Sequence, residues 1–298
     1  MQTNWDDLRV FLAVARQKSL SAAGKVLRLD PATVGRRMQK LETALQASLF
    51  AKSPQGYALT EAGTALLARA EQAEAAMRAV VAALPEPSDQ LSGQIRVGAP
   101  DGAANYLLPQ VCAMISATHP ALEIQIVALP RVFNLSRREA DMAIAVSAPT
   151  AGRLMVQKIT DYRLHLAASA TYLDNAPPIH SVRDLRDHRM VGYIPDMIFD
   201  RELDYLADIG IKEIPLASNS VSVQLNMIRQ GGGVGVVHDF ALDAAPTVRR
   251  ILTQEICLQR AFYLIRHEDD RRNSRLSRFA EALSSGVRAE VSRLEALT

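Results

Sequence analysis

The chain has 298 residues, 48% of them hydrophobic and 22% charged, which is enough apolar material for two or three compact cores and excludes a disordered chain. Its net charge of +2 is unevenly placed: residues 1–84 carry 11 Lys and Arg against 7 Asp and Glu, whereas the remainder carries 23 against 25. The basic N-terminal end is the one suited to a polyanion.

The first expected element is a helix over Trp5–Gln17, with Leu8, Phe11, Leu12 and Ala15 on one apolar face. Ser21 to Leu45 then reads as two short helices around a tight turn. Ala22, Ala23 and Gly24 allow close helix approach, and Asp30-Pro31 is a helix start, with a capping carboxylate followed by a proline tolerated in the first turn. In the second helix Val34, Met38, Leu41 and Leu45 form a buried stripe, while Thr33, Arg36, Arg37 and Lys40 repeat the same spacing on another side. A basic face on an isolated helix is equally an ordinary solvated surface. The neighbouring segment favours DNA: Gln46 to Thr60 has apolar ends around Ser53-Pro54-Gln55-Gly56, the pattern of a hairpin, and a hairpin directly after such a helix is the wing of a winged helix-turn-helix.

Residues 61–84 are free of proline and carry Leu66, Leu67, Ala70, Ala73, Met77, Val80 and Val81 on a recurring stripe, which predicts a linker helix that pairs with a second copy. Pro85 to Gly93 is a polar, proline-rich hinge. Beyond it strands are expected at Gln94–Ala99, Leu122–Leu129 and Asp141–Val146, with a helix at Tyr106–Thr118. The pattern restarts with strands at Leu164–Ala168, Met190–Ile194 and Val234–Val237, a turn-helix at Ser181–Leu185 and a helix at Ser222–Gln230. Such alternation implies a parallel, helix-covered α/β sheet.

The order of Phe11-Leu-Ala-Val-Ala, Ser19-Leu-Ser-Ala-Ala-Gly, Leu41-Glu42, Leu49-Phe50 and Leu59-Thr60-Glu-Ala-Gly63 resembles the LysR-type transcriptional regulator family. The resemblance implies a winged helix-turn-helix (1–60), a dimerising linker helix (61–84), a hinge (85–93) and a two-subdomain effector-binding domain (94–298) similar to periplasmic binding proteins. Subdomain I would span about 94–162 and 265–298, and subdomain II about 163–264, the chain returning near Tyr263–Arg266 and ending in a helix over Asn273–Leu297. Double-stranded promoter DNA, a small-molecule effector, a second copy of the chain in a homodimer or homotetramer, and RNA polymerase are the partners it implies. Where the family reads Ser-Gln-Pro-Ala-Val-Ser-Arg-Gln, this chain has Asp30-Pro31-Ala32-Thr33-Val34-Gly35-Arg36-Arg37, so the operator sequence does not transfer from other members.

The DNA-facing candidates are Asp30, Pro31, Ala32, Thr33, Gly35, Arg36, Arg37 and Lys40 on the helix and Lys52, Ser53 and Gln55 on the wing. Thr33 and Arg36 are expected at base edges, and Arg37, Lys40 and Lys52 at phosphates. For the effector the candidates are Asp101, Gly102, Asn219 and Ser222, with Tyr193, Asp196 and His238 just past expected strands, where open α/β sheets place ligands. Asn219 and Ser222 are equally simple helix caps.

A solute-binding or enzymatic α/β module with a helical appendage is the competing reading, but it has no need of a basic helix plus wing. Gly231-Gly232-Gly233-Val234-Gly235 follows a helix and leads into a strand, the reverse of a phosphate loop, and reads as a helix stop. The six histidines lack ligand spacing, no Gly-x-Ser-x-Gly elbow is present, and no cofactor or metal is expected. Cys112 and Cys257 stand in apolar contexts and are expected to be buried. No apolar run approaches the roughly 20 residues of a membrane span and no signal pattern opens the chain, so a cytoplasmic, nucleoid-associated protein is expected.

Overall fold

The computed structural model describes residues 4–53, 56–82, 90–128, 140–149, 152–211 and 213–297. They fall into two compact units, Met1–Pro85 and Glu86–Thr298.

In the first unit, α1 (Trp5–Gln17), α2 (Leu20–Leu27) and α3 (Pro31–Leu45) share a core of Phe11, Leu12, Val14, Ala23, Val34, Met38 and Leu41. Each helix starts where a short polar side chain takes a first-turn amide: Asn4 from Asp6, Ser19 from Ala22 and Asp30 from Thr33. The second helix therefore opens at Ser19, two residues before the expected Ser21. The wing is an antiparallel pair, β1 (Phe50–Ser53) and β2 (Gly56–Leu59), in register from Phe50 opposite Leu59 to Ser53 opposite Gly56. Its base is fixed by Glu42, whose Oε1 accepts from the amides of Leu49 (2.6 Å) and Phe50 (3.3 Å).

The long helix α4 (Glu61–Ala82) departs from expectation in its first half. Leu66 and Leu67 pack against the winged core, Ala70 is buried in it, and Arg16 of α1 makes a two-pronged ion pair with Glu74 (3.2 and 2.7 Å). The stripe assigned to a partner helix thus has a domain of its own behind it as far as Glu74. The helix can approach so closely because Gly63 has no Cβ; one would sit 2.1 Å from the Leu49 carbonyl oxygen. Met77, further along, is exposed.

The second unit opens with β3 (Gly93–Ala99), preceded by the buried Leu91, so the end of the expected hinge belongs to this fold. Then come α5 (Asp101–Tyr106), α6 (Leu108–Thr118), β4 (Leu122–Ala128) and β5 (Met142–Ala145). The helix expected at 106–118 is α6, two residues shorter at its start, and the unexpected α5 precedes it; Pro109 has no amide to offer Asn105 and its ring crowds that carbonyl, so the chain breaks at Leu107. β6 (Leu154–Ser169) follows, then α7 (Ala170–Asn175), β7 (Met190–Gly192), β8 (Leu216–Ala217), α8 (Val221–Arg229) and β9 (Val234–His238). β10 (Val248–Arg250), β11 (Leu258–His267) and α9 (Ser274–Glu295) complete the unit.

Among the described residues nine strands form one sheet in the order β4-β3-β5-β11-β6-β9-β7-β8, with β10 on β6. It is mixed, where a parallel sheet was expected. β3 pairs in parallel with β4 and β5, and β7 with β8 and β9, but β6 and β11 are antiparallel partners. These two run far longer than the expected 164–168 and 263–266, because each crosses from one lobe into the other and their opposed directions record one passage out and one back. Lobe I is β3 to β5 with α5, α6 and α9; lobe II is β7 to β10 with α7 and α8.

Gly231 (φ 78°) ends α8 with its amide on Ile228, and Gly233 (φ 148°) lies where a Cβ would meet the Arg189 carbonyl oxygen at 2.1 Å, so the glycine run is the helix stop and turn expected of it. Cys112 is buried, and burial pushes its thiol pKa up to about 11. Cys257 is exposed, contrary to expectation: strand-like alternation turns its neighbour Ile256 inward and the cysteine out.

Candidate DNA interface and interlobe cleft

On α3 the buried stripe leaves Pro31, Ala32, Arg36 and Lys40 exposed and Thr33, Gly35 and Arg37 half-buried. The N-terminal turn is a tight polar network. Asp30 accepts from the Thr33 amide (2.9 Å) and hydroxyl (2.5 Å), and the Thr33 hydroxyl accepts from Arg36 Nη2 (3.1 Å). The hydrogen bonds from Thr33, from its hydroxyl first, hold the exposed Asp30 carboxyl below its ordinary pKa. Thr33 thus spends its hydroxyl on ordering Asp30 and Arg36.

Arg37 lies 3.8 Å from both Asp6 and Asp7, and Lys40 lies 3.9 Å from Asp7. Two of the cations assigned to phosphate are therefore steadied by carboxylates of α1, a link the helix-by-helix sequence reading missed. Lys52 and Ser53 are members of β1, and Gln55 lies outside the described residues.

In the second unit a cavity of about 20 Å³, room for about one water, lies between the lobes. Of the seven effector candidates, Asp101, Gly102, Tyr193, Asn219 and His238 line it. Ser222 touches it only through Asp101, which takes its amide (2.9 Å) and hydroxyl (2.8 Å) on Oδ2. Asp196 is a correction: it sits on the short turn Pro195–Met197, exposed, and it is Phe199, three residues on, that turns into the cavity. Asn219 does not cap α8; Ser220 does, accepting from the Val223 amide at 3.3 Å.

The cavity walls include residues that no sequence motif marked, among them Val146, Leu203, Tyr205 and Phe262. They come from separate segments of the chain, so only the crossover of β6 and β11 could have revealed them. His238 stacks on Tyr162 (5.4 Å between ring centroids), which stacks in turn on Phe262 (4.2 Å). Its Nε2 lies 3.5 Å from the Tyr205 hydroxyl. Burial lowers the His238 pKa to about 4, with Asp101 opposing, so the ring is neutral at neutral pH. Burial raises the pKa of Tyr193 and of Tyr205, which stay protonated.

Among the described residues two side-chain bridges join the lobes at this cleft. One is Asp101 of α5 with Ser220 and Ser222 at the start of α8; the other runs from Ser147, just past β5, to Asp200. Gly102 brings the backbone of α5 close to the second lobe, since a Cβ there would lie 3.3 Å from Val221 and 3.5 Å from His238.

A family model for the LysR substrate binding domain matches residues 88–288, and one for the bacterial regulatory helix-turn-helix of the lysR family matches residues 5–64. The chain belongs to the LysR family of transcriptional regulators. Among its relatives, this LysR-family regulator is 23% identical to the HTH-type transcriptional regulator PtxR of Pseudomonas aeruginosa over 80% of its own length and 77% of that protein. It is 25% identical to CrgA of Neisseria meningitidis over 65% of this chain and 64% of that one. A full-length OxyR variant from Pseudomonas aeruginosa has the same fold, with a TM-score of 0.74 at 18% identity over 96% of this chain and 98% of that chain. The solved CrgA structure matches with a TM-score of 0.58 at 22% identity, covering 96% and 99%. An N-terminal helix-turn-helix followed by a two-subdomain effector-binding domain is thus the architecture of this regulator, with DNA and a small molecule as its partners.

Proposed function

We propose that this regulator reads an operator as a homodimer or homotetramer in the cytoplasm, on the nucleoid, and is switched by an effector held between its two lobes. The observation that carries the DNA reading is the division of labour on α3. Val34, Met38 and Leu41 are buried, while exposed Arg36 is oriented by Thr33 and Asp30 toward the side away from the core. Arg36 offers paired donors to a guanine edge, and the Thr33 methyl suits a thymine. Arg37, Lys40 and wing Lys52 supply phosphate contacts, which position without specifying.

For dimerisation the segment of α4 beyond Glu74, including exposed Met77, takes the place of the full stripe, since Leu66 and Ala70 are occupied within the unit. Two copies present two recognition helices to half-sites about one helical turn apart. The switch rests on the cleft: with room for about one water, it must open to admit a metabolite, and opening strains the Asp101 and Ser147 bridges. Contact with RNA polymerase completes the reading.

Genomic fragments retained by the purified full-length protein test it, together with nuclease footprinting and sedimentation. A discrete protected sequence with two related half-sites is expected. Uniform protection along every fragment contradicts operator recognition, and a monomer in sedimentation contradicts the α4 assignment.

A further inference from the structure

The start of α8 is where a bound anion would be expected in such a cleft, with amides and hydroxyls directed outward. In this chain the position is already filled. Oδ2 of Asp101 accepts from Ser220 Oγ (3.0 Å), Ser222 N (2.9 Å) and Ser222 Oγ (2.8 Å), and Oδ1 accepts from Asn105 Nδ2 at 3.2 Å. The carboxylate also stands in the first turn of α5, where a negative charge is favoured.

The rest of the cavity offers an anion no positive charge. Among the described residues that line it, none is a lysine or arginine, and His238 is neutral. Arg260, over the Tyr205 ring, is held by Glu202 at 2.8 Å. An anionic guest would therefore meet a like charge, with the helix donors spent and no cation on the wall to offset the loss of its hydration. The remaining walls are largely apolar and include the rings of Tyr193, Phe199, Tyr205 and Phe262, and aromatic rings attract cations.

We infer that Asp101 is a resident anion that fixes the charge class of the effector: the cleft excludes carboxylates and takes an aromatic or apolar compound whose head is cationic. This rests on the cleft being the effector site, and it adds which chemistry enters it. Asp101 sets specificity by occupying the anion seat at α8 and by supplying the only negative charge among the described residues of the cavity wall.

The test uses full-length protein and two probes of one shape, benzoate and benzylammonium, with binding read by calorimetry and by the shift in melting temperature. Wild type is expected to bind benzylammonium in preference to benzoate. Asp101→Ser, which empties the seat and frees the Ser220 and Ser222 donors, is expected to reverse that preference, with benzoate affinity rising at least about tenfold. Asp101→Asn keeps the shape and removes the charge, so it is expected to lose benzylammonium without the full gain in benzoate, which separates charge from folding. Saturable binding of benzoate to wild type overturns the inference, as does an unchanged preference in Asp101→Ser, including no binding of either probe to any form. Retention of operator fragments by the same samples is scored separately, so loss of DNA binding in wild type would count against the regulator reading and not against the charge class.

Discussion

Glu42 is the joint between recognition helix and wing, and its removal gives a stability change that can be worked from two bonds. One carboxylate oxygen holds the amides of Leu49 and Phe50, and Leu49 is fully buried beside them. Hydrogen bonds to a charged acceptor contribute about 1.5–3 kcal/mol each, less when two share one oxygen at a partly exposed site. Glu42→Ala should therefore cost the first unit about 2–3 kcal/mol. Trp5 is the only tryptophan and lies in α1, so its fluorescence reports unfolding of this unit in the intact chain. With a urea slope near 1 kcal/mol per molar for a unit of this size, the midpoint should fall by about 2–3 M. Glu42→Gln, which keeps a neutral acceptor, should recover about half of that loss. A midpoint shift under about 0.5 M for Glu42→Ala would refute the reasoning, because it would mean that the wing is held by its side-chain packing alone.

Gly63→Ala should destabilise the same unit by about 1–3 kcal/mol in the Trp5 assay, since its methyl must displace the Leu49 carbonyl; an unchanged midpoint would show that α4 does not dock as described. His238 carries a pH dependence: with a folded pKa of about 4 against an ordinary 6.5, its stabilisation is complete above pH 6.5 and is lost as pH falls toward 4. Between pH 7 and 4.5 wild type should lose about 2 kcal/mol more than His238→Gln, followed by far-UV dichroism of the second unit's transition; parallel losses would place the histidine in contact with water. Ser147→Ala, which removes the second lobe bridge, should leave operator affinity unchanged in the absence of effector while altering the midpoint of the effector response. A loss of DNA binding there would make the bridge a folding element.

The N-terminal unit was largely legible in the sequence because its determinants are local. Asp30-Pro31, the Val34-Met38-Leu41 stripe and the apolar-ended hairpin each speak within a dozen residues. What escaped there was contact between helices: Asp6 and Asp7 against Arg37 and Lys40, and the docking of Leu66 and Ala70 on the winged core, which amphipathic spacing alone cannot tell from a dimer seam. In the second unit the alternation of strands and helices was visible, but β6 and β11 were read at a fraction of their length. Their crossing segments alternate weakly, Leu154 to Lys158 being half-buried or exposed. The cleft residues Asp101, Gly102, Tyr193, Asn219 and His238 were reached through their place after strands or before a helix. Val146, Tyr205 and Phe262 were not, since tertiary topology alone brings them together.

The central claim is that α3 reads sequence through Arg36 while the cations around it read only phosphate. It is tested most directly by the affinities of wild type, Arg36→Ala and Lys52→Ala for the footprinted operator and for a shuffled duplex across a salt series. Arg36→Ala should lower the preference for operator over shuffled DNA by about tenfold, whereas Lys52→Ala should weaken both alike and reduce the salt slope by about 1. An Arg36→Ala protein that keeps the wild-type preference contradicts the account.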